Sequence, residues 1–250
     1  MTKIVFDMGA TNTRVARVES GELKDILKVS TPENIDECPA HLAEMIKQVL
    51  GNEDVSELVG GVAGVRRRDA LVADFPNARV YNDALLSGLG EAVCGAGKDK
   101  NIIGYIGLGT GIGTARIVGK KVDSTGFEAG HHIVDISNNE TWEEKVSGRV
   151  LKERHQKYPQ ELDRGVYEDY VKMIALGVYN SILFWSPDIL IMGGALINEK
   201  EGFEVEEIVS AVRDINEALP ALPPIVKSEL GDNAGLYGAM AIIENELKAG

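Results

Sequence analysis

Asn82 and Asp83 stand where a short expected strand, residues 78–81, gives way to a helical pattern with Leu85, Leu86, Leu89 and Val93 on one face. A carboxylate at such a junction can point into a cleft while the helix behind it holds the backbone still. There it could take the proton of an attacking hydroxyl. Asp is also a favoured helix N-cap, and on the residues alone both roles stand. Asn82 carries a donor and an acceptor, which suits a pair of hydroxyls or simply a turn. A further carboxylate, Asp7, ends the apolar run 4–6 and is followed by Gly9, Thr11, Asn12 and Thr13. A glycine corner of this kind lets backbone N–H groups approach a phosphate, and the hydroxyls add donors. A strand-end carboxylate can hold magnesium through the ion's own waters. An ordinary β-hairpin with a polar turn would use the same residues.

The elements that must position these groups repeat. A strand at 101–108 ends in a second corner, Gly109-Thr110-Gly111-Ile112-Gly113, and apolar residues return at 115–118. The spacing predicts strands at 23–30, 58–65, 189–192 and 225–228, and a short one after Gly119. It predicts helices at 39–50, 84–94, 141–158, 167–185, 205–218 and 234–247. Met173, Ile174, Tyr179, Ile182 and Phe184 are assigned to core in the long helix, with an exposed stripe for dimer contacts as the alternative; Arg66-Arg67-Arg68 are assigned to a solvated loop, with contact to an anionic group as the alternative. The architecture is α/β with a repeated βββα opening rather than regular βα alternation. Two lobes facing across a cleft follow, a small one of residues 1–100 with the closing helix at about 236–250, and a large one of 101–235. The two glycine corners would meet in that cleft.

Bulk properties narrow the function. The chain has 250 residues, 44% of them hydrophobic, and a formal net charge of −13. That charge argues against a nucleic-acid partner, while backbone nests can still bind phosphate. The apolar runs are too short to span a bilayer. Asp7 and Arg14 interrupt the first of them, so no signal peptide is expected and a cytoplasmic location is the default. Cys38 and Cys94 form neither a metal spacing nor a disulfide framework.

With these residues in hand, the chain resembles the actin-like ATPase superfamily and, within it, the ROK family of sugar kinases. Asp7-x-Gly9-x-Thr11-x-x-Arg14 resembles the first phosphate motif, Leu108-Gly-Thr-Gly-Ile-Gly113 the second, and Leu190-Ile-Met-Gly-Gly194 the adenosine motif. Asn82-Asp83 resembles the catalytic pair, and Glu128-Ala-Gly-His131 the E-x-G-H sugar motif. Trp142-Glu143 with Ser147-Gly148 resembles the segment carrying a further sugar glutamate, and Gly231-Asp-Asn-Ala-Gly-Leu-Tyr-Gly-Ala239 the C-terminal signature. The resemblance implies a duplicated ribonuclease H-like fold with a nucleotide- and sugar-binding cleft. It implies ATP and Mg2+ as cofactors, with Asp83 as general base and Asp7 holding magnesium through water. Asn82, Glu128, His131 and Glu143 would bind the sugar. Gly9, Thr11, Asn12, Gly109, Thr110, Gly111, Gly193 and Gly194 would bind the nucleotide, the last two lying flat against adenine or ribose.

The expected reaction is phosphorylation of a hexose hydroxyl, the 6-OH of glucose or a related hexose. Fructose, mannose or N-acetylmannosamine as acceptor, or a non-catalytic sugar sensor of the same fold, are the alternatives. A homodimer is a family expectation. The family's cysteine-rich zinc segment is absent from residues 133–141, so no structural zinc is expected. Phe127 intrudes between Gly126 and Glu128, and the stretch from Gly64 to Asn82 is shorter than the family's substrate loop.

Overall fold

The computed structural model describes residues 2–51, 53–123 and 127–247. Gly126 and the last three residues of the expected closing segment lie outside them. Two five-stranded sheets share one topology. The first has the order β3-β2-β1-β4-β5, from β1 (Thr2–Met8), β2 (Asn12–Glu19), β3 (Glu22–Ser30), β4 (Val55–Val62) and β5 (Arg79–Asn82). The second runs β8-β7-β6-β11-β12, from β6 (Ile102–Leu108), β7 (Ile112–Val118), β8 (Lys121–Val122), β11 (Ile189–Gly193) and β12 (Ile225–Lys227). In each, three antiparallel strands are followed by two parallel ones, as a duplicated actin-like fold requires. A small hairpin, β9 (Ile133–Asp135) with β10 (Glu140–Thr141), lies between them in sequence. Lys145 staples it, donating to Asp135 at 2.9 Å and to Glu140.

The helices are α1 (Cys38–Leu50), α2 (Val65–Asp74), α3 (Asp83–Val93), α4 (Trp142–Val146), α5 (Gly148–His155), α6 (Arg164–Trp185), α7 (Ala195–Asn198), α8 (Val205–Ile215) and α9 (Ala234–Leu247). Among the described residues none is long and apolar enough to cross a membrane. Strand periodicity decides how they stack. Ile4, Phe6 and Met8 of β1 point one way and pack on Leu42, Met45 and Ile46 of α1 and Leu71 of α2. Val5 points the other way, onto Leu86 of α3 and Leu236, Ala239 and Met240 of α9. The opposite faces of the same two helices meet the second sheet, with Leu85 and Leu89 against Tyr105, Ala115 and Ile191. α6 and α8 cover that sheet's far side. α3 and α9 therefore form the layer between the two sheets, and the period-two rule turns Asp7 towards it.

Three expectations are corrected here. The strand expected at 58–65 ends at Val62, and Gly64, at φ 84°, opens α2; the three arginines lie in its first turn rather than in a loop. The helix expected over 141–158 breaks at Ser147, whose extended backbone frees Gly148 N–H to bond the Gly109 carbonyl at 2.7 Å and Arg149 N–H the Thr110 carbonyl at 3.1 Å. Two intrahelical bonds are exchanged for two that fix the second corner. Phe184 is 81% exposed, while Ile174, Tyr179 and Ile182 are buried as expected.

The large lobe's core shows how closely sequence and packing are matched. Trp142 is fully buried against α6, where a methyl on Gly177 would run into its indole. Alanine normally gains about 1 kcal/mol over glycine inside a helix. Overpacking costs about 1–3 kcal/mol, and the indole is hemmed in by its bond to the Met173 carbonyl at 3.1 Å. Gly177→Ala is expected to lower the thermal midpoint, and a raised midpoint would show that the indole can shift.

Candidate active site

The first corner is a tight turn closed by the bond from Gly9 N–H to the Asn12 carbonyl at 3.0 Å. Thr31 braces it. Its hydroxyl donates to the Gly9 carbonyl at 3.0 Å and lies 2.9 Å from the Thr13 hydroxyl, and its N–H reaches the Thr11 carbonyl at 2.9 Å. The second corner closes in the same way, Gly109 N–H to Gly111 carbonyl at 2.9 Å. The exposed hydroxyls of Thr11 and Thr110 come within 3.2 Å of each other. The two corners, 99 residues apart in sequence, thus meet at one point.

Behind the first corner, Asp7 is buried between glycines. A methyl on Gly61 would lie 3.5 Å from its Oδ1, and one on Gly235 2.8 Å from its Cγ. Its Oδ1 is buried with no hydrogen-bond partner among the described residues. Burial pushes the Asp7 carboxyl up to about 7, with the charge of Asp83 adding to this and Arg14 opposing it. An orphaned, desolvated carboxylate oxygen fits a hydrated cation, whose water would supply the missing donor. No cluster of three or more acidic, histidine or cysteine side chains accompanies it among the described residues.

The pH consequence has a definite sign. A raised folded-state carboxyl favours the neutral form, so its stabilising effect is complete below the ordinary carboxyl value near 4. That effect is lost as pH rises through about 7. In metal-free buffer the thermal midpoint of the wild type should fall between pH 5 and pH 8 by more than that of Asp7→Asn. Parallel curves would mean that Asp7 is already charged across that window.

Asp83 opens α3. Its neighbour Asn82 carries the cap, accepting Ala84 N–H at 2.9 Å and Leu85 N–H at 3.2 Å through Oδ1. The sequence left Asp83 open as cap or base; the cap is Asn82, and the Asp83 side chain is not needed for it. A methyl on Gly61 would sit 3.0 Å from the Asp83 Cα, so Gly61 separates the two carboxylates. Burial raises the Asp83 carboxyl, the Ala84 N–H pulls it back, Glu128 adds to the rise and Arg67 opposes it.

Glu128 and His131 share one turn, the His131 N–H donating to the Glu128 carbonyl at 3.0 Å. The charge of Glu128 reaches Asp83. The turn carrying Glu128 is pinned on β7, with Ala129 N–H donating to Thr114 Oγ1 at 3.2 Å and no room for a methyl on Gly130 beside the Ile112 carbonyl. Glu143 braces the second corner, its Oε2 accepting Ile112 N–H at 2.7 Å. His131 is exposed, and its charge is felt at Glu144. His132, left as structural, stacks on Trp142 with ring centroids 5.6 Å apart. Gly193 ends β11 and Gly194 follows it, and a side chain at either would first meet the protein. A methyl on Gly193 would lie 2.6 Å from the Tyr105 hydroxyl, and one on Gly194, at φ 85°, would strike the Leu108 carbonyl.

Sequence reasoning left three contributors out of the site. Arg14, buried on β2, binds Asp232 of the turn before α9, and Lys28 joins the same carboxylate at 3.1 Å. Arg14 and Asp232 each lie inside a quoted motif, which was the available signal. Arg67 sits half-buried by Asp83, and nothing in its charge run set it apart from Arg66 and Arg68.

A model of the ROK family matches residues 71–246. An uncharacterized protein of Clostridium perfringens is 28% identical over 185 residues, 64% of this chain; the matched region spans 61% of that relative's length. A glucokinase of Streptomyces coelicolor is 24% identical over 303 residues, covering 94% of this chain and 95% of that one. A ROK family glucokinase from Streptomyces griseus, solved in complex with glucose and AMPPNP, superposes with a TM-score of 0.76 at 21% identity, over 97% of this chain and 99% of that one.

Proposed function

This chain belongs to the ROK family, and on that premise we propose that it is an ATP-dependent sugar kinase transferring the γ-phosphoryl group to a hexose hydroxyl. The observation that carries the reading is the meeting of two phosphate-type corners at Thr11 and Thr110, 3.2 Å apart, with Asp83, half-buried at the start of α3, within reach of the charges of Glu128 and Arg67. Phosphoryl transfer asks the protein chiefly to position and neutralise, with one base at the acceptor. The N–H groups of the two corners and the hydroxyls of Thr11 and Thr110 would hold the nucleotide phosphates. Magnesium, held through water by Asp7, would neutralise charge on the transferred group. Asp83 would take the proton of the acceptor hydroxyl, a role that suits a carboxyl raised by burial towards working pH. Asn82, its oxygen spent on the cap, retains an amide donor for the sugar. The α3/α9 layer between the sheets is the natural pivot for closure, which would exclude water as a competing acceptor.

The reading is tested by ADP release with ATP and magnesium over a panel of glucose, fructose, mannose and N-acetylmannosamine. Sugar-dependent ADP formation with at least one member is expected. Sugar binding without turnover would favour the non-catalytic sensor.

A further inference from the structure

This inference rests on the kinase reading above and concerns how the acceptor is chosen. A sugar hydroxyl has one hydrogen to donate and two lone pairs to be satisfied. Asp83 and Glu128, the carboxylates coupled at the acceptor end of the cleft, only accept when ionised. A hydroxyl that donates to either leaves its lone pairs in need of an N–H group. The Asn82 side chain, its oxygen on the cap, can offer only its amide.

Arg67 fills the gap. The parallel ladder ends with Val62 paired to Asn82, and Ala63 and Asp83 are the next residues of the two segments. The Arg67 guanidinium is fastened to the first of these, its Nη1 donating to the Ala63 carbonyl at 3.1 Å, and its charge reaches the second. Its Nε is buried with no partner among the described residues. A buried, unpaired N–H costs stability unless something completes it. Arg66 and Arg68, one residue to either side, are exposed. We infer that Arg67 is an acceptor-specificity residue, its free Nε edge donating to a sugar oxygen next to the hydroxyl that faces Asp83. The guanidinium fork would supply through a side chain what a longer loop after Gly64 could supply through backbone.

The test pairs a side-chain deletion with a hydroxyl deletion. Wild type, Arg67→Ala and Arg67→Lys are assayed on the hexose that wild type turns over best and on its monodeoxy analogues, with ATP and magnesium. Wild type should discriminate against one analogue by at least about tenfold in kcat/KM. Arg67→Ala should lose a similar factor on the parent hexose, mainly in KM, and should no longer distinguish that analogue, while the KM for ATP stays within about twofold. Arg67→Lys should recover part of the loss, since it keeps the charge without the planar fork. A loss in Arg67→Ala that is equal for the parent and every analogue would reduce Arg67 to a strut for Ala63 and overturn the inference, as would no loss at all. A wild type that turns over no hexose would overturn the kinase reading and this inference with it, and is recognised by the wild-type assay alone.

Discussion

Asp83→Asn is expected to cut sugar-dependent ADP formation by about 10²–10⁴-fold, the usual contribution of a positioned general base. ATP affinity should stay within a few-fold of wild type. The substitution is nearly isosteric, so acceptor positioning survives and the missing element is the proton acceptor. Stability should respond in the opposite sense. The helix cap belongs to Asn82 through two bonds, at 2.9 and 3.2 Å, and is untouched. Burial and Glu128 both make a charge at Asp83 unfavourable, so an uncharged amide should leave the thermal midpoint unchanged or raise it. A variant that loses activity and stability together would return Asp83 to a structural role. One that keeps near-normal turnover would place the base elsewhere.

The contrast between Asn82 and Asp83 shows how far the residues alone could lead. The apolar runs at 4–6 and 101–108 and the helical spacing at 84–94 were enough to place those strands and that helix, because long apolar runs and helical stripes report burial directly. The echo of the two corners was enough to expect that they meet, and Thr11 and Thr110 do. Local sequence could not say which of two adjacent residues caps a helix, since Asn and Asp cap about equally well. Nor could it divide three consecutive arginines, because a helix spreads neighbours around its axis and only one of the three turns inward. The break at Ser147 was hidden for a related reason. The bonds that end α4 come from Gly109 and Thr110, almost forty residues earlier, and no pattern within 141–158 carries them. Gly193 and Gly194 looked like a bare face for adenine, whereas Tyr105 and Leu108 already account for the missing side chains.

The second large effect is expected at Glu91, a residue with no place in any motif. It lies inside α3 on an otherwise apolar helix and is fully buried. Its Oε1 accepts the Ser228 hydroxyl at 2.5 Å and Leu230 N–H at 2.9 Å, while Oε2 accepts Ala96 N–H at 3.0 Å and Glu229 N–H at 3.4 Å. Glu91→Ala leaves a hydroxyl and three N–H groups without partners at a buried site, and each buried donor left unsatisfied costs about 1–3 kcal/mol. Glu91→Gln keeps the volume but turns donors towards donors, and should cost about 1–3 kcal/mol. Urea denaturation with an unchanged m-value would measure both. A cost below about 1 kcal/mol for the alanine variant would mean that the Ser228–Leu230 turn holds itself. The consequence should reach the active site. That turn leads directly into Asp232, the partner of Arg14, and into Gly235, which packs on Asp7. At temperatures where Glu91→Gln is still folded, its KM for ATP should therefore rise while its preference among acceptor sugars stays that of wild type. Glu91 reaches the first corner through the turn before α9 and has no comparable route to Arg67.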